Sequence, residues 1–339
     1  MSVRVTRWLA VRFLAALCAG CGANLDRGFT PQAHHSPVAE TALSKKYELR
    51  LVNSQGEEFE YFVREPRRMN RPLPAVFILA GLETGRESLD LIDDRDDLLL
   101  VSMNYPRRET LALSGPGLLL APYTLRRIAS RTLEGGVLVI DYLSRRPDVD
   151  QERIILLGVS FGSVITTSLG ARDPRVDAVA LIYGGGDLGQ LARHNLREKP
   201  WWVPGWIIGP AVRAFLGDFE PLAHVGKVSP RYLLMVSSRQ DEMFPASSAL
   251  ALFERAGNPK KLIWYETGHM NLFDRDLIRR LTRDVVADLQ ATGYLHQEQH
   301  QGVNGRFSSR RFPASSRNQI SPSPHPSPRR GGGIGADFM

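Results

Sequence analysis

The sequence predicts an α/β fold: a doubly wound, mostly parallel sheet with helices on both faces. The first observation is a set of apolar runs that end in glycine, serine, asparagine or proline, as strands buried on both faces of a parallel sheet do. These runs are residues 75–81, 98–106, 154–160, 178–186, 232–238 and 262–268. The second is the helical spacing of apolar residues between the runs, for example over 128–143. Alternation of strand and helix predicts right-handed crossovers.

The segments at the two ends of this pattern differ from its centre. YELRLVN (47–53) and EEFEYFVRE (57–65) alternate apolar and polar residues, which predicts an antiparallel pair of strands at the edge of the sheet. RRLTRDVVADLQ (279–290) predicts a final amphipathic helix. The pair Gly135-Gly136 lies inside an earlier predicted helix and costs about 1 kcal/mol per glycine relative to alanine, so it would permit a kink.

The folded domain is predicted to span residues 44–295, with an insertion at about 187–228. Residues 1–21 have the character of a targeting segment, and residues 22–43 are polar and unpatterned, which is typical of a flexible tether. Residues 296–339 are rich in serine, proline, arginine and glycine and lack apolar periodicity. They are predicted to be a disordered tail.

The formal net charge of +7 comes from the ends of the chain. Residues 1–21 contain three arginines and no acidic residue, and residues 296–339 contain six arginines against two acidic residues. The region between them therefore has no net charge. Because a nucleic-acid-binding domain carries a basic face of its own, we expect no nucleic-acid partner.

Three arginines, the apolar run FLAALCAG and then Cys21 resemble the signal of a bacterial lipoprotein. The resemblance implies that Cys21 is lipidated and that the protein is anchored in the cell envelope, with Gly22 favouring the outer membrane. Cys18 stands where the pattern normally has an aliphatic residue. The alternatives are an ordinary secretory signal cleaved near Ala23 and an uncleaved apolar start. Cys18 and Cys21 are the only cysteines, so cleavage would leave no disulfide and no thiolate metal site.

The stretch GVSFG (158–162) lies where an apolar run ends. A sharp turn from a parallel strand into a helix leaves no room for side chains at Gly158 and Gly162, and it exposes the hydroxyl of Ser160. The same turn places the amide of Phe161 at the start of the next helix, where an N–H group stabilises negative charge. The pentapeptide alone would fit an ordinary glycine-rich turn, but its position between strand and helix favours a nucleophile.

A serine nucleophile needs a base, and His269 is the histidine that directly follows a predicted core strand, in YETGHMN (265–271). Its alternative role is a loop residue that caps the helix beginning near Asn271. The base needs a carboxylate to fix its tautomer. SSRQDEMFP (237–245) offers Asp241 after another core strand, with Glu242 as the alternative.

These residues, in the order Ser160, Asp241 and His269, resemble the α/β-hydrolase superfamily, especially bacterial esterases and peptidases of the dienelactone-hydrolase and prolyl-oligopeptidase type. The resemblance covers about residues 47–292 and is closest in DYLSRRPDVDQERIILLGVSFGS (141–163). It implies that Ser160 is the nucleophile, Asp241 the acid and His269 the general base, with Phe161 and Leu82 as oxyanion donors. Ala80-Gly81-Leu82 departs from the His-Gly-Gly pattern of the best-known esterases.

The predicted insertion is rich in large aromatic residues. Trp201, Trp202 and Trp206 are predicted to line an apolar lid over the site, which would suit an acyl chain or an aromatic ester. A second interpretation is that the aromatic rings, which include Phe215 and Phe219, form a small core that anchors the insertion. A third is contact with a membrane surface.

We therefore expect a serine hydrolase that acts through an acyl-enzyme, most readily on carboxylic esters, with a small-molecule ester or acyl compound as its substrate. A peptidase or an acyl thioesterase would use the same residues, and a non-catalytic envelope lipoprotein could use the same scaffold for binding. The mechanism needs no organic cofactor and no metal. The four aspartates of LIDDRDDLLL (91–100) are expected to lie at a solvated helix end rather than to bind a metal ion.

Overall fold

A computed structural model describes residues 32–105, 120–197, 205–271 and 273–296. Within these ranges the chain forms one sheet of nine strands, ordered β1-β2-β3-β5-β4-β6-β7-β8-β9. The strands in chain order, β1 to β9, are Gln32–Glu40, Ser44–Val52, Glu58–Pro66, Leu73–Leu79, Leu99–Met103, Val149–Val159, Ala178–Ile182, Tyr232–Ser238 and Lys260–Tyr265. Strands β1, β2 and β3 run antiparallel to their neighbours. The other six strands, in the sheet order β5, β4, β6, β7, β8 and β9, run parallel to one another.

Seven α-helices connect the strands in the described ranges, and three short 3₁₀ helices accompany them at Gly85–Leu91, Gly217–Phe219 and Val225–Lys227. The α-helices, α1 to α7, are Ala121–Leu143, Phe161–Arg172, Leu188–Asn195, Gly205–Leu216, Pro221–His224, Ala246–Arg255 and Arg275–Ala291. No helix in this part of the chain is long and apolar enough to cross a membrane.

The predicted fold class is confirmed. Every residue of β4, β5, β7 and β8 is buried, because helices cover both faces of the sheet. One apolar core lies between the sheet and helices α1 and α2, and a second lies between the sheet and α7. The amphipathic segment predicted at 279–290 lies within α7.

Helix α1 is continuous through Gly135 and Gly136. A side chain at Gly135 would begin only 2.2 Å from the Cε atom of Met103, and the hydroxyl of Tyr61 donates a hydrogen bond of 2.8 Å to the Gly135 carbonyl. The glycine pair therefore permits close approach of α1 to the sheet, and α1 remains a single helix at this position.

The edge of the sheet corrects one prediction. The antiparallel pair β2 and β3 forms as expected, but β1 pairs outside β2, so the prediction of a tether over 22–43 is wrong for residues 32–40. All nine residues of β1 are exposed, and main-chain hydrogen bonds to β2 hold the strand. A strand that buries no face has no apolar alternation to reveal it. The targeting segment and the predicted tail beyond residue 296 lie outside the described residues.

Candidate active site

The predicted site residues lie at the carboxyl edge of the parallel strands, where loops from neighbouring strands converge. Ser160 directly follows β6, Asp241 follows β8, and His269 follows β9. In the sheet, β7 lies between β6 and β8, and β9 lies beside β8. Parallel strands bring their carboxyl ends to one edge, so residues 109 positions apart in the sequence meet there.

Ser160 occupies a strained turn. Its φ and ψ angles are 53° and −120°, which few residues other than glycine adopt. The Ser160 N–H donates to the Ile182 carbonyl at 2.9 Å, so the main chain stays tied to β7 while the side chain leaves the sheet. Helix α2 begins at the next residue. This is the strand, sharp turn and helix that the sequence predicts around a nucleophile.

The two glycines of the turn are required by close main-chain approach. A Cβ atom at Gly158 would lie 2.7 Å from Ser163 Cα, and a Cβ atom at Gly162 would lie 1.9 Å from the Leu79 carbonyl oxygen. Neither contact can be relieved by rotating a side chain. The approach at Gly162 places the start of α2 directly beside the end of β4.

A continuous chain of hydrogen bonds joins the three predicted residues. Ser160 Oγ lies 3.0 Å from His269 Nε2, and His269 Nδ1 lies 2.9 Å and 3.0 Å from the two carboxylate oxygens of Asp241. The Asp241 side chain is 1% exposed and that of His269 is 12% exposed. The N–H groups of Met243 and Phe244 each donate to Asp241 Oδ1 at 2.8 Å, so the main chain fixes the buried carboxylate.

The hydrogen bonds show which of the two candidate carboxylates, Asp241 or Glu242, contacts the imidazole of His269. Glu242 Oε2 accepts a 2.9 Å hydrogen bond from the main-chain N–H of His269, whereas Asp241 contacts the imidazole ring. Glu242 therefore supports the backbone of the loop and is not the ring's partner. The helix after this loop is capped by Asp274, whose Oδ1 accepts from the N–H of Leu277, so His269 is not its cap.

Two aromatic rings enclose the imidazole. Tyr183 lies edge-on to His269 with ring centroids 5.4 Å apart, and Phe244 stacks on it at 5.9 Å. The Tyr183 hydroxyl shares a 2.7 Å hydrogen bond with Thr267 Oγ1. Sequence reasoning missed both residues, because an aromatic ring at a strand end looks like any core residue. Burial raises the pKa of Tyr183 above its ordinary value.

The predicted oxyanion donors lie on neighbouring segments. Phe161 is the first residue of α2, where N–H groups have no acceptor within the helix. Leu82 follows the end of β4 in a turn closed by the N–H of Thr84, which donates to the Gly81 carbonyl at 3.1 Å. The buried Tyr105 hydroxyl donates to the Ala80 carbonyl at 2.5 Å, and its ring packs against the ring of Phe161. Tyr105 thus joins the two segments.

The predicted lid is only partly described. Trp201 and Trp202 lie outside the described residues, and Trp206, near the start of α4, is 78% exposed, so its place in a lid stays a prediction. Phe215 and Phe219 are buried in the core next to α1 and α2. Phe215 and Phe219 therefore anchor the insertion, but they do so in the main core of the domain and not in a small core of the insertion's own.

Side chains of distant elements fix the insertion. Arg126 of α1 donates to the Phe215 carbonyl at 2.8 Å and to the Asp218 carboxylate at 2.7 Å. At its other end, Asn195 of α3 donates to the Met243 carbonyl at 3.0 Å, and His194 contacts the Glu242 carbonyl at 2.9 Å. The insertion therefore packs against the loop that carries Asp241.

Comparisons with known proteins agree with this architecture. The profile of one protein family, described as the BAAT and acyl-CoA thioester hydrolase C-terminal family, matches residues 139–201. A search of curated proteins gives no match.

Solved structures similar to the chain include acetyl xylan esterase 1 from Thermoanaerobacterium sp. JW/SL YS485, with 15% identity and a TM-score of 0.58 over 81% of this chain and 93% of that one. The acetyl xylan esterase from Paenibacillus sp. R4 has 16% identity and a TM-score of 0.58 over 82% and 93%. The esterase domain of a Rhodothermus marinus protein has 15% identity and a TM-score of 0.51 over 73% and 98%. The chain therefore has the fold of the α/β-hydrolase superfamily.

Proposed function

We propose that this protein is a serine hydrolase that cleaves carboxylic esters through an acyl-enzyme. The observation that carries the proposal is the hydrogen-bonded chain from Ser160 Oγ through His269 to the buried Asp241. A serine hydroxyl becomes nucleophilic when an oriented imidazole accepts its proton, and the carboxylate stabilises the imidazolium that results. The same three side chains have no comparable use in a protein that only binds a ligand.

In the first half of the reaction, Ser160 Oγ attacks the ester carbonyl carbon while His269 Nε2 takes the hydroxyl proton. The tetrahedral intermediate then collapses, the bond to the alkoxy group breaks, and His269 returns the proton to the departing alcohol. Asp241, held by two main-chain N–H groups, keeps Nδ1 protonated so that Nε2 is free to accept. The acyl group remains on Ser160.

In the second half, a water molecule takes the place of the alcohol. His269 removes a proton from the water as its oxygen attacks the acyl carbon. The second intermediate collapses with cleavage of the bond to Ser160 Oγ, the acid leaves, and His269 returns the proton to Ser160. We propose that the amides of Phe161 and Leu82 donate to the oxyanion in both steps. This assignment is supported by the close approach of the start of α2 to the end of β4 at Gly162. Donors held in a fixed main chain need no reorganisation during the reaction.

The comparisons favour an ester substrate, because the similar structures named above are esterases by name. The mechanism assigned to Ser160 is compatible with an ester, since it needs only an acyl group with a leaving group. A second candidate is an acyl thioester, because the family profile that matches residues 139–201 is described as an acyl-CoA thioester hydrolase family. That segment includes the end of α1, β6 and the Ser160 turn.

The proposal is tested with a fluorophosphonate probe and with paired substrates. The wild-type protein should be labelled and should hydrolyse p-nitrophenyl esters, whereas Ser160→Ala and His269→Ala should lose labelling and at least about 10⁴-fold in kcat. Comparing p-nitrophenyl esters with acyl-CoA thioesters of equal chain length decides between the two candidates. A folded wild-type protein that is neither labelled nor active on either substrate would instead indicate a binding protein.

We also propose that a lipid on Cys21 anchors the protein to the cell envelope. The support is the lipoprotein-like signal around Cys21. Cys21→Ser should abolish membrane attachment in the native host, and globomycin should block processing of the wild-type chain. Cleavage at the same site in Cys21→Ser would contradict lipidation and would favour an ordinary secretory signal.

A further inference from the structure

We propose that Tyr183 is a positioning residue that holds His269 in line with Ser160, a role that rests on the function proposed above. Tyr183 directly follows β7, the strand between the one that leads to Ser160 and the one that leads to Asp241. Tyr183 therefore lies at the sheet edge between the strand end that carries Ser160 and the one that carries Asp241.

The backbone of Tyr183 is held in a conformation that a tyrosine rarely adopts. Its φ angle is 52°, in the left-handed region that favours glycine, while its N–H donates to the Val236 carbonyl at 2.8 Å. Positive φ at a bulky residue is kept only where its surroundings enforce it, and such residues cluster at functional sites. Here the conformation places a ring that is 1% exposed against the imidazole of His269.

The hydroxyl of Tyr183 ties down the loop that carries His269. It shares a 2.7 Å hydrogen bond with Thr267 Oγ1, two residues before His269. The N–H of Thr267 donates to Ser238 Oγ at 2.9 Å, and that hydroxyl in turn donates to the Thr267 carbonyl. Thr267 is thus bonded to the end of β8 through its main chain and a longer side-chain contact of 3.5 Å, and to Tyr183 at the end of β7 through its side chain.

The ring of Tyr183 limits the motion of the imidazole itself. Its edge-to-face contact acts on one side of His269, and the stacked ring of Phe244 acts on another. Proton transfer needs His269 Nε2 to stay about 3 Å from Ser160 Oγ, and misplacement by about 1 Å costs on the order of 100-fold in rate. The Tyr183 hydroxyl contacts Thr267 and not the reacting atoms, so it acts through the position of His269.

The test removes the hydrogen bond from each side in turn. Tyr183→Phe and Thr267→Val should each lower kcat for a p-nitrophenyl ester by about tenfold, with KM unchanged. The rate constant for fluorophosphonate labelling of Ser160 should fall by the same factor. Thr267→Val also removes a 3.5 Å contact from Thr267 Oγ1 to Ser238 Oγ. Because both substitutions delete the hydrogen bond between Tyr183 and Thr267, the double variant should be no slower than the slower single variant.

A matched control separates positioning from general stability. The Tyr232 hydroxyl donates to Asp288 Oδ1 at 2.5 Å at the opposite end of β8, away from the site. Tyr232→Phe therefore also removes a tyrosine hydroxyl that bonds to another side chain, and it should lower the unfolding temperature while leaving kcat unchanged.

The outcomes distinguish this inference from the proposed function. If the wild-type protein is labelled at Ser160 but Tyr183→Phe and Thr267→Val are labelled at the wild-type rate, the positioning role is overturned and the proposed function stands. If the wild-type protein is not labelled at all, the proposed function fails, and the positioning role fails with it. Should Tyr183→Phe not fold, Thr267→Val tests the same hydrogen bond from the other side.

Discussion

The Ser160 turn and the insertion between β7 and β8 adjoin the same edge of the sheet, but different contacts hold them in place. The turn is fixed by main chain meeting main chain, since a side chain at Gly162 would lie 1.9 Å from the Leu79 carbonyl oxygen. The insertion is fixed by side chains of distant elements, such as Arg126 of α1 on the Phe215 carbonyl. A side chain added at such a main-chain contact forces the backbone segments apart, whereas side-chain contacts can be exchanged. We therefore expect the turn to be decisive for catalysis and the insertion to tune it.

The largest effect should come from the carboxylate of the site. Asp241→Asn should lower kcat by about 10⁴-fold, because the amide can favour the wrong imidazole tautomer. Glu242→Gln should change kcat by less than about tenfold, because a glutamine oxygen still accepts one hydrogen bond from the His269 N–H. Initial rates with a p-nitrophenyl ester measure both. Losses of equal size would contradict the assignment of Asp241 to the ring.

A methyl group in the turn should have the next largest effect. Gly162→Ala should lower kcat by about 10²-fold or more, because the start of α2 must move away from β4 and carries the Phe161 amide with it. Gly217→Ala is the matched control in the insertion, since a Cβ atom there meets nothing within 4 Å. Fluorophosphonate labelling and thermal unfolding report on each variant. Wild-type labelling of folded Gly162→Ala would show that the close approach is dispensable.

Acidification should lower the stability of the protein through a histidine of the insertion. His224 donates from Nε2 to the Asp218 carbonyl, and burial lowers its pKa below the ordinary value. The unfolded chain then binds more protons than the folded chain, so His224 lowers the free energy of unfolding as the pH falls through about 6.5. His224→Gln keeps a donor but does not titrate, so its stability should fall less steeply between pH 7 and pH 5. Denaturant unfolding at each pH measures this, and parallel curves would count against the role of His224.

The smallest effect should come from Trp206. Its side chain is 78% exposed, so Trp206→Ala should change the free energy of unfolding by less than about 0.5 kcal/mol. If Trp206 belongs to a lid, the same variant should alter the ratio of kcat/KM for long and short acyl esters. An unchanged ratio would exclude Trp206 from the predicted lid.

The difference between the Ser160 turn and the insertion also explains what could be predicted from the sequence. The buried parallel strands show as apolar runs, and the Ser160 turn shows as two glycines, because steric demands restrict which residue types fit. The approach of His269 to Ser160 follows from strand ends meeting at one edge. These predictions depend on rules that hold for any parallel sheet.

Other features depend on contacts that leave no mark in the local sequence. Asp241 and Glu242 are adjacent and chemically alike, and only the path of the main chain decides which of them faces the imidazole. Tyr183 looks like a core aromatic because its role comes from a positive φ angle and from Thr267, 84 residues away. Strand β1 buries no side chain, so no apolar pattern marks it.

That exposed strand has a consequence for how molecules of this protein meet one another. An open strand edge is a template on which a strand of another molecule can add. In β1, Pro37 has no N–H group to offer such a strand, and the pairing register shifts between Pro37 and Ala39. In the sheet of the described residues, the proline and the irregularity interrupt the template in its middle, which disfavours edge-to-edge pairing with a strand of another molecule.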